Sequence, residues 1–185
     1  MPKVVSDAGP LIHLAQINKL PLIKKLFDNV SVVPEVKKET FDEGIRLGHT
    51  DAQAIGEAME EGWIKIEDLS PSANSAAKKL ADGERITRSD AKTLLLAREN
   101  RAGILVDEKA LSDLAKMYGL KVWNTWTLLL ESVGRRFIGT SDIESAIAEL
   151  GEKRHKLRSE EAAEILKAAR LIALGRREHE SETQQ

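Results

Sequence analysis

Cysteine is absent from the 185-residue chain. A disulfide framework, a thiolate zinc site and a cysteine nucleophile are therefore excluded. The absence also suits a reducing compartment. Aromatic residues make up only 4%, and the three tryptophans, Trp63, Trp123 and Trp126, suit strand and helix packing better than base stacking. No apolar run approaches the roughly 18 residues that a membrane span needs. The opening "MPKVVSDAG" has neither a long apolar stretch nor a cleavage-like end, so the expected location is cytoplasmic. No charge of one sign dominates: the formal net charge of -2 argues against a broadly basic nucleic-acid platform. A local basic rim can act without a basic total. Internal repeats and low-complexity runs are also missing.

What is present is the balance of a globular protein, 31% charged and 42% apolar. A chain this long buries a core without a structural metal. "VVS" (4–6) reads as a buried strand, and "PLIHLAQINKLPLIKKLF" (10–27) as two helical pieces split at Pro21. "VSVV" (30–33) is a second strand, followed by a helix opening at Pro34. A helix over 49–62 and a strand "WIKIE" (63–67) come next. A turn "LSPSAN" leads to a short helix over 75–82, ended by Gly83. A stronger helix over 88–103 has Ser89 as its expected N-cap and Gly103 as its stop. "ILV" (104–106), a helix over 108–119, "KVWN" (121–124) and a helix over 125–137 continue the alternation.

Strands alternating with helices predict a three-layer α/β/α fold around a central, mostly parallel sheet. From residue 141 the pattern changes to two helices with no strand between them, then a polar tail, "RREHESETQQ", expected to fray. The expected organisation is an α/β domain over 1–139 and a C-terminal helical appendage over 140–185, packed on the body or on a partner. Ile165, Leu166, Ala169 and Ile172 form the apolar stripe of the second helix.

Four acids stand out. Asp7 follows the first strand and Asp107 the fourth, and residues just past parallel strands share the edge where open α/β sheets bind ligands. Glu39 lies one turn into the helix after the second strand, and Asp90 in the first turn of the helix before the fourth. Each has a local explanation: helix caps for Asp7 and Asp107, a first-turn acid for Asp90, a solvated helix residue for Glu39. Together, however, carboxylates gathered within a few ångströms repel, and one takes up a proton unless a cation sits among them. Mg²⁺ or Mn²⁺ suits such an all-oxygen site, and two such ions serve phosphodiester hydrolysis.

"VVSDAGPLIHLAQI", "VPEVKKET", "SDAKTLLLAREN", "ILVDEKALSDLAKMYGLKVWNT" and "TLLLESVGRRFI" stand in the order and spacing of PIN domains. Over roughly residues 3–138 the chain most resembles the prokaryotic branch related to VapC-type toxins. The resemblance implies a ribonuclease with a quartet of acids around Mg²⁺ or Mn²⁺: Asp7, Glu39, Asp90 and Asp107. Glu108 is a rival to Asp107, and Glu35, one turn earlier, a rival to Glu39. Many relatives carry a hydroxyl residue just after the first acid, where this chain has Ala8 and Gly9; Ser6 precedes it instead. His13, in an apolar helix, reads as a satisfied core or edge residue. Arg85, Arg88, Lys109, Arg135 and Arg136 are the candidates for RNA contact. The implied partners are RNA, a second copy of the chain and a small antitoxin, with the C-terminal helices as interface.

The expected function is thus a metal-dependent endoribonuclease hydrolysing RNA phosphodiester bonds, toxin-like or RNA-processing, leaving a 5′-phosphate. The alternative is a catalytically degenerate PIN-like scaffold that binds RNA or a protein through the same edge. A haloacid-dehalogenase-like phosphatase wants a second aspartate where Gly9 stands, and a phosphorylated receiver wants a late lysine that "KVWNT" lacks.

Overall fold

The computed structural model describes residues 3–27, 29–153 and 155–183. The chain divides into two compact units, Met1–Thr125 and Trp126–Gln185. In the first, five parallel strands, β1 (Val4–Ser6), β2 (Val30–Val32), β3 (Ile64–Ile66), β4 (Gly103–Leu105) and β5 (Val122–Trp123), run in the order β3-β2-β1-β4-β5. Val4 stands opposite Val30 on one side and Gly103 on the other. The chain turns back between β1 and β4, so this central pair forms the switch point where open α/β sheets hold ligands.

The connections explain the layers. From β1 the chain winds outward to β2 and then β3, through α1 (Ala8–Gln16), α2 (Pro21–Leu26), α3 (Pro34–Lys37), α4 (Glu43–Arg46) and α5 (Thr50–Glu60). From β3 it returns through α6 (Pro71–Glu84) and α7 (Arg88–Glu99) to β4, then through α8 (Lys109–Met117) to β5. Right-handed crossovers in opposite directions put the two sets of helices on opposite faces. Accordingly α1 packs with α5, while α7 packs on β1 and β4. Val4, Val5, Leu11, Val30, Leu94, Ile104 and Leu105 fill the core.

Several boundaries differ from the sequence reading, each for a capping reason. The helix expected over 75–82 begins at Pro71, because Ser70 is its N-cap and accepts the Ala73 N–H (3.3 Å). It passes Gly83 and ends at Arg85, in the left-handed region at φ +55. Thr87, not Ser89, caps α7. Gly103 is no helix stop but the first residue of β4, since α7 ends at Glu99.

Between α3 and α4 the helix widens into a π turn, Lys38–Asp42, where Thr40 Oγ1 donates to the Val36 carbonyl (2.8 Å). Such turns hold one residue more than an α-helix and are frequent at functional sites. Here α5 crosses closely: a Cβ added at Gly44 would meet Ala52 Cβ at 2.5 Å. Gly44→Ala gains about 1 kcal/mol of helix propensity. It loses about 1–3 kcal/mol to overpacking, as buried Ala52 has no flexible end to yield. The expected result is a melting temperature lower by a few degrees in a thermal scan.

The second unit contains α10 (Thr140–Glu152) and α11 (Ser159–Thr183), together with α9 (Thr125–Gly134) after its first residue. Asp142 accepts the Gly139 N–H (2.8 Å) at the start of α10. α10 packs with α11, where Arg170 donates to Glu144 (3.3 Å). The tail expected to fray is helical as far as Thr183; Gln184 and Gln185 lie outside the described residues. Among the described residues no helix is long and apolar enough to cross a membrane.

Candidate metal centre

The carboxyl edge of the sheet is held by ladder bonds that continue past the strands: Asp7 N–H donates to the Leu105 carbonyl and Val106 N–H to the Trp123 carbonyl (both 2.9 Å). Asp7 therefore starts from a fixed backbone at the switch point. It occupies the N-cap position of α1 in extended conformation, φ -77 and ψ 171, yet its side chain makes no capping hydrogen bond. Its carboxyl is raised from 3.8 to about 6. Burial is the main cause, partly offset by the Ala8 N–H, and the like charges of Asp90, Glu39 and Glu108 add to it. Ser6 does not serve this carboxylate, since its hydroxyl donates to the Asp7 carbonyl (2.9 Å).

Glu39 sits on the π turn. Though the residue is exposed overall, partial burial of its carboxyl raises it, with the charges of Glu43 and Asp90 in the same direction. Asp90 stands at N3 of α7 and closes a capping box with Thr87: its amide donates to Thr87 Oγ1, and its Oδ2 accepts the Thr87 N–H (both 3.0 Å). The cap reading of Asp90 is thus real: the bond takes one oxygen of a buried carboxylate whose charge acts on Asp7 and Glu39. Glu108 is the N-cap residue of α8, is exposed, and makes no side-chain capping bond.

Asp107 is different. Its Oδ1 accepts the Thr125 N–H (2.8 Å), and its Oδ2 accepts from Thr125 Oγ1 and from His13 Nδ1 (both 2.6 Å). Burial pushes this carboxyl up, but the hydrogen bonds from His13 and Thr125 and the His13 charge outweigh it and hold it below the usual range. The bonding ties together α1, the end of β4 and the start of α9.

Glu35, the rival to Glu39, is also engaged. It pairs with the nearly buried ammonium of Lys92 on α7. Burial raises Glu35, but the Lys92 hydrogen bond leads the influences that hold it low, with Arg88 contributing. Among the cations expected to meet RNA, Lys109 is paired with Asp113 and Arg135 with Glu131 (2.9 Å). Arg85 and Arg88 are exposed on either side of Thr87, the α7 cap; Arg136 belongs to the second unit at φ +61.

Four acids from separate segments thus influence one another: Asp7 with Asp90, Glu39 and Glu108, and Glu39 with Asp90. Among the described residues no three His, Asp or Glu side chains converge closely enough to hold an ion as they stand. The donor set is nonetheless all oxygen. The site also has an uncapped, elevated carboxyl at its centre, the electrostatic condition that a divalent cation relieves. Sequence reasoning missed Thr125, His13's bond to Asp107, and Lys92. Thr125 carried a signal: it stands at the end of a strand, on the same edge as the acids.

Residues 3–170 match the family model DUF3368, described as a PIN domain. The chain belongs to the PIN-domain family. PIN domains are typically metal-dependent nucleases and generally use divalent ions. The fold is shared with PAE2754 from Pyrobaculum aerophilum, 18% identical at a TM-score of 0.51, over 70% of this chain and 94% of that one. A domain of a functionally unknown protein from Methanocaldococcus jannaschii is 19% identical over 67% of this PIN domain's chain and 91% of its own, at a TM-score of 0.40. None of the curated proteins matches the chain.

Proposed function

We propose that this PIN domain is a metal-dependent endoribonuclease, with Asp7, Glu39, Asp90 and Glu108 as the carboxylates that hold Mg²⁺ or Mn²⁺. The observation that carries the reading is the uncapped Asp7 carboxylate at the β1/β4 switch point, raised to about 6 with three acids acting on it. A divalent ion there supplies charge neutralisation for the scissile phosphate and a water acidified for attack. Asp107 is a positioning residue in this scheme: it holds α1, and hence Asp7, against the start of α9. Arg88, exposed beside the α7 cap, is the proposed contact for backbone phosphates. RNA is the substrate, the cell interior its location, and the VapC-like resemblance extends the proposal to a homodimer and a small antitoxin.

Glu39→Gln tests the reading, because Glu39 is exposed and accepts no hydrogen bond among the described residues, so nothing structural is lost. The expected result is Mn²⁺ binding weaker by at least about tenfold in calorimetry, with a matching fall in cleavage of a single-stranded RNA oligonucleotide. Unchanged binding and cleavage would remove Glu39 from the centre. The separation of the acids favours a second reading, a scaffold without catalysis. A parent protein that binds no Mn²⁺ would establish it.

A further inference from the structure

Parallel strands covered on both faces read as continuous apolar runs. β1 (VVS) and β4 (GIL) are of this kind, but β2 (VSV) and β3 (IKI) alternate. Ser31 and Lys65 stand opposite each other in register, and strand alternation turns both to one face. On that face α7 packs over β1 and β4, and α6 packs on α7. Over β2 and β3 lies a cavity of about 250 Å³ lined by Lys3, Asn29, Ser31, Lys65, Glu67 and Asn100. Lys3, Asn29 and Asn100 precede β1, β2 and β4 while Glu67 follows β3, so the basin runs along the sheet face from the amino ends of the strands, where Lys3 and Asn29 stand, toward the carboxyl edge.

Its polar groups are unevenly matched. Both oxygens of Glu67 are taken, Oε1 by Ser31 Oγ and Oε2 by Asn100 Nδ2 (both 2.8 Å). Lys3 and Lys65 are exposed at the rim, and among the described residues neither ammonium has a hydrogen-bond or ion-pair partner. The Asn29 amide is likewise unspent. Two ammonium groups and an amide thus face a polar hollow whose one carboxylate is already tied into its floor.

We infer that this basin is a second binding site, which takes a phosphate group through Lys3, Lys65 and Asn29. The phosphate belongs either to a free nucleotide or to an RNA strand whose cleaved bond lies at the acids. The strand version rests on the nuclease reading; the nucleotide version does not. Three residues of strand, about 10 Å, separate the amino edge from the carboxyl edge. One RNA strand can therefore reach both.

The test uses the full chain with EDTA present, so that binding is read without cleavage. Fluorescence anisotropy of a labelled single-stranded RNA oligonucleotide and of a labelled AMP is followed over a salt series, for the parent and for Lys3→Gln/Lys65→Gln. Both lysines are on the rim, and thermal melting confirms that the double variant folds. The expected result is a loss of affinity of about tenfold or more for at least one probe. For RNA, the slope of log K against log salt falls by about 1.4, two contacts at 0.7 each. Loss confined to RNA assigns the site to a strand; loss for both assigns it to a nucleotide. Identical affinities and slopes in parent and double variant would overturn the inference. Mn²⁺ calorimetry stays unchanged in the double variant, so failure at the acids and failure here remain separate results.

Discussion

Asp7→Asn melts at a higher temperature than the parent at pH 8 and cleaves no RNA. The folded carboxyl sits at about 6 against 3.8 for the ordinary group. Between those values the folded chain holds a proton that the unfolded chain has released, so stability falls as the pH rises through that window. Above pH 6 the full penalty applies, on the order of 3 kcal/mol for a shift of about two units. The neutral amide escapes it. The parent's unfolding free energy without divalent ions therefore declines from about pH 4 to pH 6, and the variant's profile is flatter. Glu39, also raised, acts in the same direction. Mn²⁺ inverts the comparison, because an ion that binds only the folded state stabilises the parent and finds its central ligand missing in the variant. Denaturant titrations over this pH range, with and without Mn²⁺, check both halves. A variant no more stable than the parent at pH 8 would show that the buried Asp7 carboxylate carries no such penalty.

Asp107→Ala loses stability, by about 3 kcal/mol. Three donors converge on this carboxylate, and truncation removes the mostly buried acceptor that the Thr125 amide, the Thr125 hydroxyl and His13 Nδ1 share. Asp107→Asn is milder, because its remaining carbonyl still serves the Thr125 amide while hydroxyl rotation and the other imidazole tautomer accommodate the new amide. The sign with pH is opposite to that of Asp7. A carboxyl held below its ordinary value contributes stability at neutral pH that is lost as the pH falls below about 3.8. Denaturant midpoints for the two variants rank them. Equal, small losses would mean that the three hydrogen bonds hold nothing together.

The layered architecture was legible because its evidence is local. "VVS", "VSVV", "WIKIE" and "ILV" are short apolar or alternating runs, and the stretches between them carry helical spacing. That Asp7 and Asp107 follow strands, and that Glu39 and Asp90 stand on helical turns beside the sheet, was legible because such positions are also local. Their hydrogen-bond partners were not. Asp107 looks like a strand-end acid until His13, 94 residues away, and Thr125, 18 residues away, arrive in space to occupy it. Glu35 and Glu39 are one turn apart, and it is Lys92, 57 residues from Glu35, that gives them different surroundings. The cap of α7 was misread for a smaller reason: Thr87 and Ser89 both offer hydroxyls, and it is the reciprocal bond with Asp90 that selects Thr87.

The π turn at Lys38–Asp42 holds one residue more than regular helix needs. Deleting one residue from it would restore i to i−4 bonding and a tighter rod. The same loss would swing the residues on one side of the lesion by about 100° around the axis. A chain shortened there would carry Glu39 to a different place relative to Asp90, so the spacing of this edge hangs on a single residue of helix.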